Sequence, residues 1–100
     1  MNNEILTIKK IKETVKPLAA KYNINEVYLF GSYARGDATS ESDLDFLVFG
    51  GEQFKLTMIF AFAEDLREAF DKEIDAFEIN EVNQESPFYQ AIMKEVLLVA

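Results

Sequence analysis

The sequence predicts a small α/β (α+β) domain in which helices pack on a mixed β-sheet. Apolar residues make up 49% of the 100 residues, which is enough for one modest core. Short β-prone runs alternate along the chain with longer stretches whose apolar residues recur at helical spacing. No internal repeat or linker-like stretch interrupts this α-β-α-β-α-β-α-β order, so residues 1–100 are expected to form a single domain.

The first predicted elements are a helix over residues 4–22 and a strand over residues 26–30. Isoleucine, valine, leucine and alanine recur along the helix at intervals of three and four residues. Pro17 lacks a backbone donor and is expected to kink or restart this helix. The strand is rich in β-forming residues and ends at Gly31. A short helix near residues 32–35 is expected to follow it.

A second strand is predicted over residues 43–49, and residues 52–71 are predicted to form a long helix with more than one apolar side. The face expected to pack on the sheet consists of Leu56, Ile59, Phe62, Ala63, Leu66 and Phe70. The outer side carries Phe54, Met58 and Ala61, with Phe60 on a third side. We expect this outer face to be buried against another chain, in a homo- or hetero-oligomer; the alternative is cover by the first or last helix.

The last predicted elements are a strand over residues 73–79, a helix over residues 87–95 and a short strand over residues 96–99. Ser86 and Pro87 are typical of a helix start, with serine as the cap and proline in the first helical position. The final stretch is β-prone, although continuation of the preceding helix is the alternative.

Gly31 and Ser32 stand between the first strand and the short helix. Because Gly31 has no Cβ, a ligand can approach its backbone closely. Free N–H groups at a helix start attract phosphate oxygens, and the Ser32 hydroxyl adds a further donor. We interpret the pair as a phosphate cradle, although Gly-Ser alone is also a common turn. The P-loop pattern G-x-x-x-x-G-K-[ST] does not occur in the sequence.

Asp43 and Asp45 lie on the second strand, and ten residues separate Asp43 from Ser32. Since side chains alternate along a strand, both carboxylates face one side while Leu44 points into the core. Their Cα atoms should be about 6.6 Å apart. Two carboxylates at that distance can hold a pair of Mg²⁺ ions about 3.5–4 Å apart. The alternative is that the pair forms a solvated strand end.

Asp75 is the best candidate for a third carboxylate, because it is central in the third predicted strand and has apolar neighbours. If the third strand lies beside the second, all three aspartates face one cleft. A carboxylate there could take the proton from an attacking hydroxyl group. Asp75 could instead be a charge that limits pairing at a sheet edge.

Composition narrows the metal chemistry and the location. The chain has no cysteine and no histidine, which excludes disulfides, thiolate metal sites and Ser/His catalysis and disfavours zinc. The kind of metal site that the composition still allows is Mg²⁺ or Mn²⁺ bound by oxygen atoms. Neither a membrane-length apolar run nor a signal-peptide pattern is present, so a cytoplasmic protein is expected.

Charge is unevenly distributed. The net charge is −8, of which residues 1–50 contribute six basic and seven acidic side chains (−1) and residues 51–100 four basic and eleven acidic (−7). An acidic surface argues against an extended nucleic-acid interface. The acidic half suits a basic partner surface, or it serves only for solubility.

The stretch from Phe30 to Phe49 resembles the GSx10DxD signature of the polymerase-beta-type nucleotidyltransferases. Its two ends, Phe-Gly-Ser-Tyr-Ala-Arg-Gly and Ser-Asp-Leu-Asp, closely resemble the minimal nucleotidyltransferases, the MNT family. That resemblance covers nearly the whole chain and implies the polymerase-beta-like nucleotidyltransferase fold. Members of this family are typically antitoxins paired with a HEPN-domain ribonuclease toxin.

The resemblance also implies a role for each matching residue. Gly31 and Ser32 would bind the nucleotide phosphates, and Arg35 would steady the phosphates or the fold. The aspartates would be the catalytic metal ligands: Asp43, Asp45 and Asp75. The implied reaction is transfer of AMP from ATP to a protein hydroxyl, with two Mg²⁺ ions or Mn²⁺ in their place. The implied acceptor is a tyrosine of a HEPN toxin. The alternative is a non-catalytic module that neutralises a partner by occlusion, with the nucleotide structural or vestigial.

Overall fold

Helices and strands alternate in the computed structural model, which describes residues 4–100, in the order that the sequence predicts. The elements are α1 (Ile8–Lys21), β1 (Glu26–Phe30), α2 (Ser32–Arg35), β2 (Leu44–Phe49), α3 (Met58–Phe70), β3 (Ile74–Glu78), α4 (Pro87–Met93) and β4 (Leu97–Leu98). One turn of 3-10 helix, Ile79–Glu81, follows β3. Over these residues no helix combines the length and apolarity needed to cross a bilayer.

The strands form a mixed sheet in the order β3-β2-β1-β4. β1 is antiparallel to both β2 and β4, whereas β2 and β3 run parallel. Parallel neighbours need a crossover connection, and α3 supplies it. The predicted mixed sheet is therefore confirmed, and so is the condition that the third strand lies beside the second.

The two faces of the sheet are packed differently. Side chains from α1 and α3 cover one face and form the main core with alternate residues of β1 and β2, such as Leu29 and Phe46. The other face carries a smaller cluster that contains Phe30, Leu47 and Ile92 of α4. Because side chains alternate along β2, the residue between Leu44 and Phe46 belongs to this second face.

Helix α1 differs from the prediction in its start and in its continuity. It begins at Ile8 because Thr7 caps it, with Thr7 Oγ1 accepting a hydrogen bond of 3.1 Å from the Lys10 N–H. The helix runs through Pro17 as one element, so the expected restart is wrong. Pro17 and Glu13 are exposed, and the carbonyl that loses its helical partner therefore lies on the solvent side of the helix.

Helix α3 begins at Met58, six residues later than predicted, because residues 52–57 form turns. Phe54 is consequently not on the outer face of a helix: it is half-buried against the main core. Leu56, expected on the inner face, is 53% exposed. The other five residues predicted for the inner face are buried. Phe60 is 73% exposed, and neither the first nor the last helix covers it.

The C-terminal elements are shorter than predicted. Ser86 Oγ accepts a hydrogen bond of 3.1 Å from the Tyr89 N–H and Pro87 takes the first helical position, as expected. Helix α4 ends at Met93 rather than at residue 95. The last stretch is a strand, since Leu97 and Leu98 pair with β1.

Phe62 and Phe60 of α3 provide a matched test of this packing. Phe62 has no exposed surface, so Phe62→Ala should lower the free energy of unfolding by about 3–4 kcal/mol. Phe60→Ala should change it by no more than about 0.5 kcal/mol. Urea unfolding followed by circular dichroism measures both. Equal losses would mean that α3 does not pack as described.

Candidate active site

Gly31 joins β1 to α2 and adopts a backbone conformation that favours glycine, with φ of 76°. A Cβ atom at this position would overlap the carboxylate of Asp45. Two independent constraints, backbone conformation and space, therefore require glycine here. The predicted cradle and the predicted carboxylates are in direct contact.

Asp45 and Asp75 lie opposite each other on neighbouring parallel strands, as partners in the register of β2 and β3. Asp45 is half-buried, whereas Asp75 is exposed. Asp43 immediately precedes β2 and is exposed. The fold brings the three aspartates together, although they come from segments about 30 residues apart in the chain.

Burial and neighbouring charge raise the pKa of Asp45 to about 6. Removal from water is the largest cause, because it disfavours the charged form. The negative charges of Asp75 and Asp43 act in the same direction, and so does a hydrogen bond with Asp75. The positive charge of Arg35 opposes them. The site therefore concentrates negative charge that a cation would neutralise.

A cavity of about 400 Å³ opens beside these groups. One wall consists of Gly31, Ser32, Arg35, Ser42, Asp43 and Asp45. Asp75 is not part of this wall; it lies next to Asp45 on β3. The cavity thus combines the predicted phosphate-binding residues with two of the three predicted metal ligands.

A second wall of the cavity belongs to α4 and to Glu95 just after it, and the sequence analysis did not identify it. Phe88, Ala91, Ile92 and Glu95 line the cavity. They are spaced as i, i+3, i+4 and i+7, so they occupy one helical face. Phe88 is half-exposed, and its ring packs edge-on against the rings of Phe30 and Phe77 with centroid distances of 6.2 and 5.9 Å. Phe77 is accordingly a packing residue of the rim.

Arg35 lies at the edge of the cavity and binds carboxylates there. Its Nη1 donates to both oxygens of Glu95, at 3.1 and 3.2 Å, and its Nε donates to Asp37 at 3.4 Å. These contacts, the one with Glu95 foremost, raise the pKa of Arg35. Glu95 Oε1 also accepts the Gly31 N–H at 3.2 Å. Arg35 is therefore connected both to the cradle and to the wall made by α4.

The donor atoms around Asp45 suit a hard cation. Over residues 4–100 no three acidic side chains are placed to ligate one ion as they stand. The available ligands are carboxylate oxygens, which Mg²⁺ and Mn²⁺ prefer. A cation at Asp43, Asp45 and Asp75 would offset the burial and the repulsion that raise the Asp45 pKa. The donor chemistry of these residues therefore fits a divalent cation, although their present placement does not form a three-ligand site.

A helix-covered mixed sheet with a Gly-Ser turn and paired carboxylates at one cleft is the arrangement of a nucleotidyltransferase domain. The family model "Polymerase beta, Nucleotidyltransferase" matches residues 9–100. The chain therefore belongs to this family of enzymes, which confirms the predicted family and fold class.

Curated proteins of Methanocaldococcus jannaschii are similar to this chain. "Putative protein adenylyltransferase MJ0604" is 52% identical over 56 residues, which cover 54% of this chain and 52% of that protein. The chain thus aligns with about half the length of MJ0604. "Putative protein adenylyltransferase MJ0435" is 32% identical over 78 residues, which cover 78% of this chain and 84% of that protein.

Solved structures share the fold. "Structure of putative minimal nucleotidyltransferase" matches with a TM-score of 0.74 and 25% identity, over 92% of this chain and 95% of that one. A chain from the complex of a tri-AMPylated Shewanella oneidensis HEPN toxin with its MNT antitoxin matches with a TM-score of 0.71 and 17% identity, over 94% and 72% of the two chains. The polymerase-beta-like topology is therefore the established fold of this protein.

Replacement of Asp45 by asparagine should stabilise the metal-free protein at neutral pH. Because the pKa of Asp45 is about 6 in the folded state and ordinary in the unfolded state, the folded state binds more protons between about pH 4 and pH 6. Stability should therefore fall as pH rises through this range. Asp45→Asn removes this pH-dependent loss of stability. At pH 7.5 the free energy of unfolding of the variant should exceed that of the wild type by about 1–2 kcal/mol, after allowance for the partial exposure of Asp45.

Urea unfolding in EDTA at pH 4 and pH 7.5 measures this difference. The advantage of Asp45→Asn should shrink towards pH 4, where the wild-type carboxyl is protonated. Mg²⁺ should raise the melting temperature of the wild type more than that of the variant. A variant that is no more stable than the wild type at pH 7.5 would show that Asp45 is not electrostatically strained.

Gly31→Ala and Gly36→Ala compare a glycine that contacts Asp45 with one that does not. Gly36 is in the left-handed helical region (φ 85°, ψ 13°), where alanine costs about 1–2 kcal/mol, and Gly31 (φ 76°, ψ −156°) is in a region essentially restricted to glycine, so its strain is at least as large. A Cβ at Gly36 meets no atom within 4 Å, whereas one at Gly31 has to displace the Asp45 carboxylate. Thermal unfolding should therefore show a larger loss for Gly31→Ala, and only this variant should lose metal-induced stabilisation. Equal behaviour would contradict the contact between the cradle and Asp45.

Proposed function

We propose that the chain is a Mg²⁺-dependent protein adenylyltransferase that transfers AMP from ATP to a hydroxyl group of a partner protein. The partner is a HEPN-type toxin and the acceptor is a tyrosine, so the chain acts as the antitoxin. The observation that carries this proposal is the pairing of Asp45 with Asp75 in register, directly beside Gly31. It supplies carboxylates and phosphate-binding backbone in one cleft, where the substrate Mg·ATP can bind.

The phosphates of ATP bind on the wall formed by Gly31, Ser32 and Arg35. The Gly31 N–H and the Arg35 guanidinium both donate to carboxylate oxygens of Glu95, which supports a role for these donors in binding an anion. Backbone N–H groups and the Ser32 hydroxyl orient the triphosphate. The positive charge of Arg35 stabilises it, because charge-assisted hydrogen bonds are stronger than neutral ones.

Asp43, Asp45 and Asp75 are the residues that would hold divalent cations. When bound, Mg²⁺ would supply positive charge that favours deprotonation of the attacking hydroxyl and departure of pyrophosphate. The hydroxyl oxygen bonds to the α-phosphorus while the bond from that phosphorus to the pyrophosphate oxygen breaks. The proton of the hydroxyl passes to the exposed carboxylate of Asp75, and pyrophosphate leaves. A bound cation would favour the ionised form of Asp45.

A macromolecular acceptor suits the geometry better than a small molecule. The cavity lies at the surface of one small sheet, and the described residues form no second lobe that would enclose an acceptor. Phe60 and Leu56 lie exposed on or next to α3 and offer apolar surface for an oligomer or for the toxin. The net charge of −7 over residues 51–100 suits a basic partner. The partner and product in the Shewanella oneidensis complex motivate the choice of toxin and AMP.

The chain is expected to act in the cytoplasm, where ATP and Mg²⁺ are both available. Oxygen ligands alone surround the proposed metal site, so the enzyme does not depend on a thiolate or on an oxidising compartment.

A second function, neutralisation by occlusion alone, is favoured by the exposed apolar side chains. Phe60 is 73% exposed, and a docked partner would bury it. In that case the partner is silenced without modification. Toxicity assays with Asp43→Asn separate the two functions, because this variant should still bind the partner while transferring nothing.

Intact-mass spectrometry of a HEPN-domain protein encoded beside this chain is the test of transfer. After incubation with the wild type, ATP and Mg²⁺, its mass should rise by whole AMP units. Asp43→Asn should reduce the rate at least about 100-fold, because a metal ligand is lost. Glu68→Gln, an equal charge change at an exposed position of α3, should transfer at the wild-type rate.

Two outcomes would overturn the proposal. A wild type that leaves the partner unmodified although the two proteins form a stable complex would favour occlusion. An Asp43→Asn variant that transfers AMP at the wild-type rate would exclude Asp43 from the metal site. Tandem mass spectrometry of the product identifies the acceptor residue, and any residue other than tyrosine contradicts that part of the proposal.

A further inference from the structure

We propose that Glu95 is a built-in competitor for the phosphate-binding wall, which ATP has to displace. This inference rests on the proposed function, because it concerns the regulation of the same site. In the structure the Glu95 carboxylate engages the donors that we assign to phosphate oxygens. Nucleotide binding therefore exchanges one anion for another.

The contacts of Glu95 are those of a bound anion. Its Oε1 accepts the Gly31 N–H at 3.2 Å and a hydrogen bond from Arg35 Nη1 at 3.1 Å, and its Oε2 lies 3.2 Å from the same Nη1. One carboxylate thus joins a backbone amide of the cradle to a guanidinium. A phosphate oxygen between the same two donors would make equivalent charge-assisted hydrogen bonds.

The carboxylate can leave without unfolding the wall that carries it. Glu95 follows α4, whose residues Phe88, Ala91 and Ile92 line the same cavity. After it the chain is anchored: Val99 is buried and its N–H donates to Val27 O at 2.9 Å. The main chain on the C-terminal side of Glu95 is therefore anchored to the sheet. The side chain itself is 26% exposed, so rotation about its own bonds carries the carboxylate into solvent.

The competition matters because the cavity offers little positive charge to an anion. Among the described residues that line the cavity, Arg35 alone is basic, whereas Asp43, Asp45 and Glu95 are acidic. In the structure the charge of Arg35 is shared with Glu95 and Asp37. Departure of Glu95 releases two donors for the nucleotide and removes one negative charge from its surroundings. Its return after the reaction favours departure of pyrophosphate.

The contact has a direct consequence for affinity. A variant that lacks the carboxylate should bind ATP more tightly than the wild type, because nothing has to be displaced. The three hydrogen bonds from Gly31 and Arg35 hold the charged carboxylate in place, and solvent reduces their strength here. We therefore expect about a tenfold decrease in the dissociation constant for Glu95→Ala and a smaller decrease for Glu95→Gln.

Titration calorimetry with Mg²⁺ and the α,β-methylene analogue of ATP tests the proposal, since this analogue cannot release pyrophosphate. Glu85→Gln is the matched control: it also removes one negative charge, at an exposed position just before α4, and its dissociation constant should equal that of the wild type. If Glu95 instead positions Arg35 for the nucleotide, Glu95→Ala will bind the analogue more weakly, and the proposal is wrong.

Amide hydrogen exchange at Gly31 provides a second measurement that does not depend on nucleotide. The Gly31 N–H should exchange faster in Glu95→Ala than in the wild type, while the buried amides of β2 remain unchanged. An unchanged rate at Gly31 would overturn the proposed contact. If the wild type binds the analogue and Glu95→Ala binds it with the same affinity, this inference alone is overturned. Failure of both proteins to bind the analogue would overturn the proposed function together with it.

Discussion

The parallel pairing of β2 with β3 is the contact on which the rest of the site depends. It sets Asp45 opposite Asp75, although α3 and its flanking turns separate the two residues along the chain. A shift of this register by one residue would turn Asp75 to the opposite face and bury its charge in the main core. Burial of Ile74, next to Asp75 on β3, holds the register, because the same slip would turn Ile74 out of the main core. The same apolar packing that stabilises the sheet therefore positions the carboxylates.

The cleft brings together negative charges that destabilise the folded protein. Asp45 is partly withdrawn from water, and its two acidic neighbours raise the free energy of its ionised form. Gly31 allows this crowding, because any side chain at its position would occupy the space of the Asp45 carboxylate. The ionised carboxylate therefore costs stability in the folded protein, as is common where side chains serve binding or catalysis.

Local patterns in the sequence were sufficient for most of the fold, while contacts between distant residues were not. The strands and the Gly31–Asp45 motif follow from runs of neighbouring residues, and the structure confirms these strands and their order. The start of α3 was misjudged, because Phe54 and Leu56 fit a helical repeat although residues 52–57 are turns. Glu95 was missed because its contact with Gly31 spans 64 positions. The face of the sheet on which α4 packs decides that contact, and periodicity alone does not specify it.

Helix α4 has a thermodynamic consequence of its own. At seven residues it is shorter than the roughly 12–15 residues that an isolated helix needs to be even marginally stable in water. Its only fully buried side chain is Ile92, so tertiary anchoring is slight compared with that of the sheet. This helix should therefore open in a sub-global fluctuation while the sheet stays intact. The sheet, which carries the aspartates, would then stay rigid while α4 moves. Such movement of α4 would make room for a loop of a second protein.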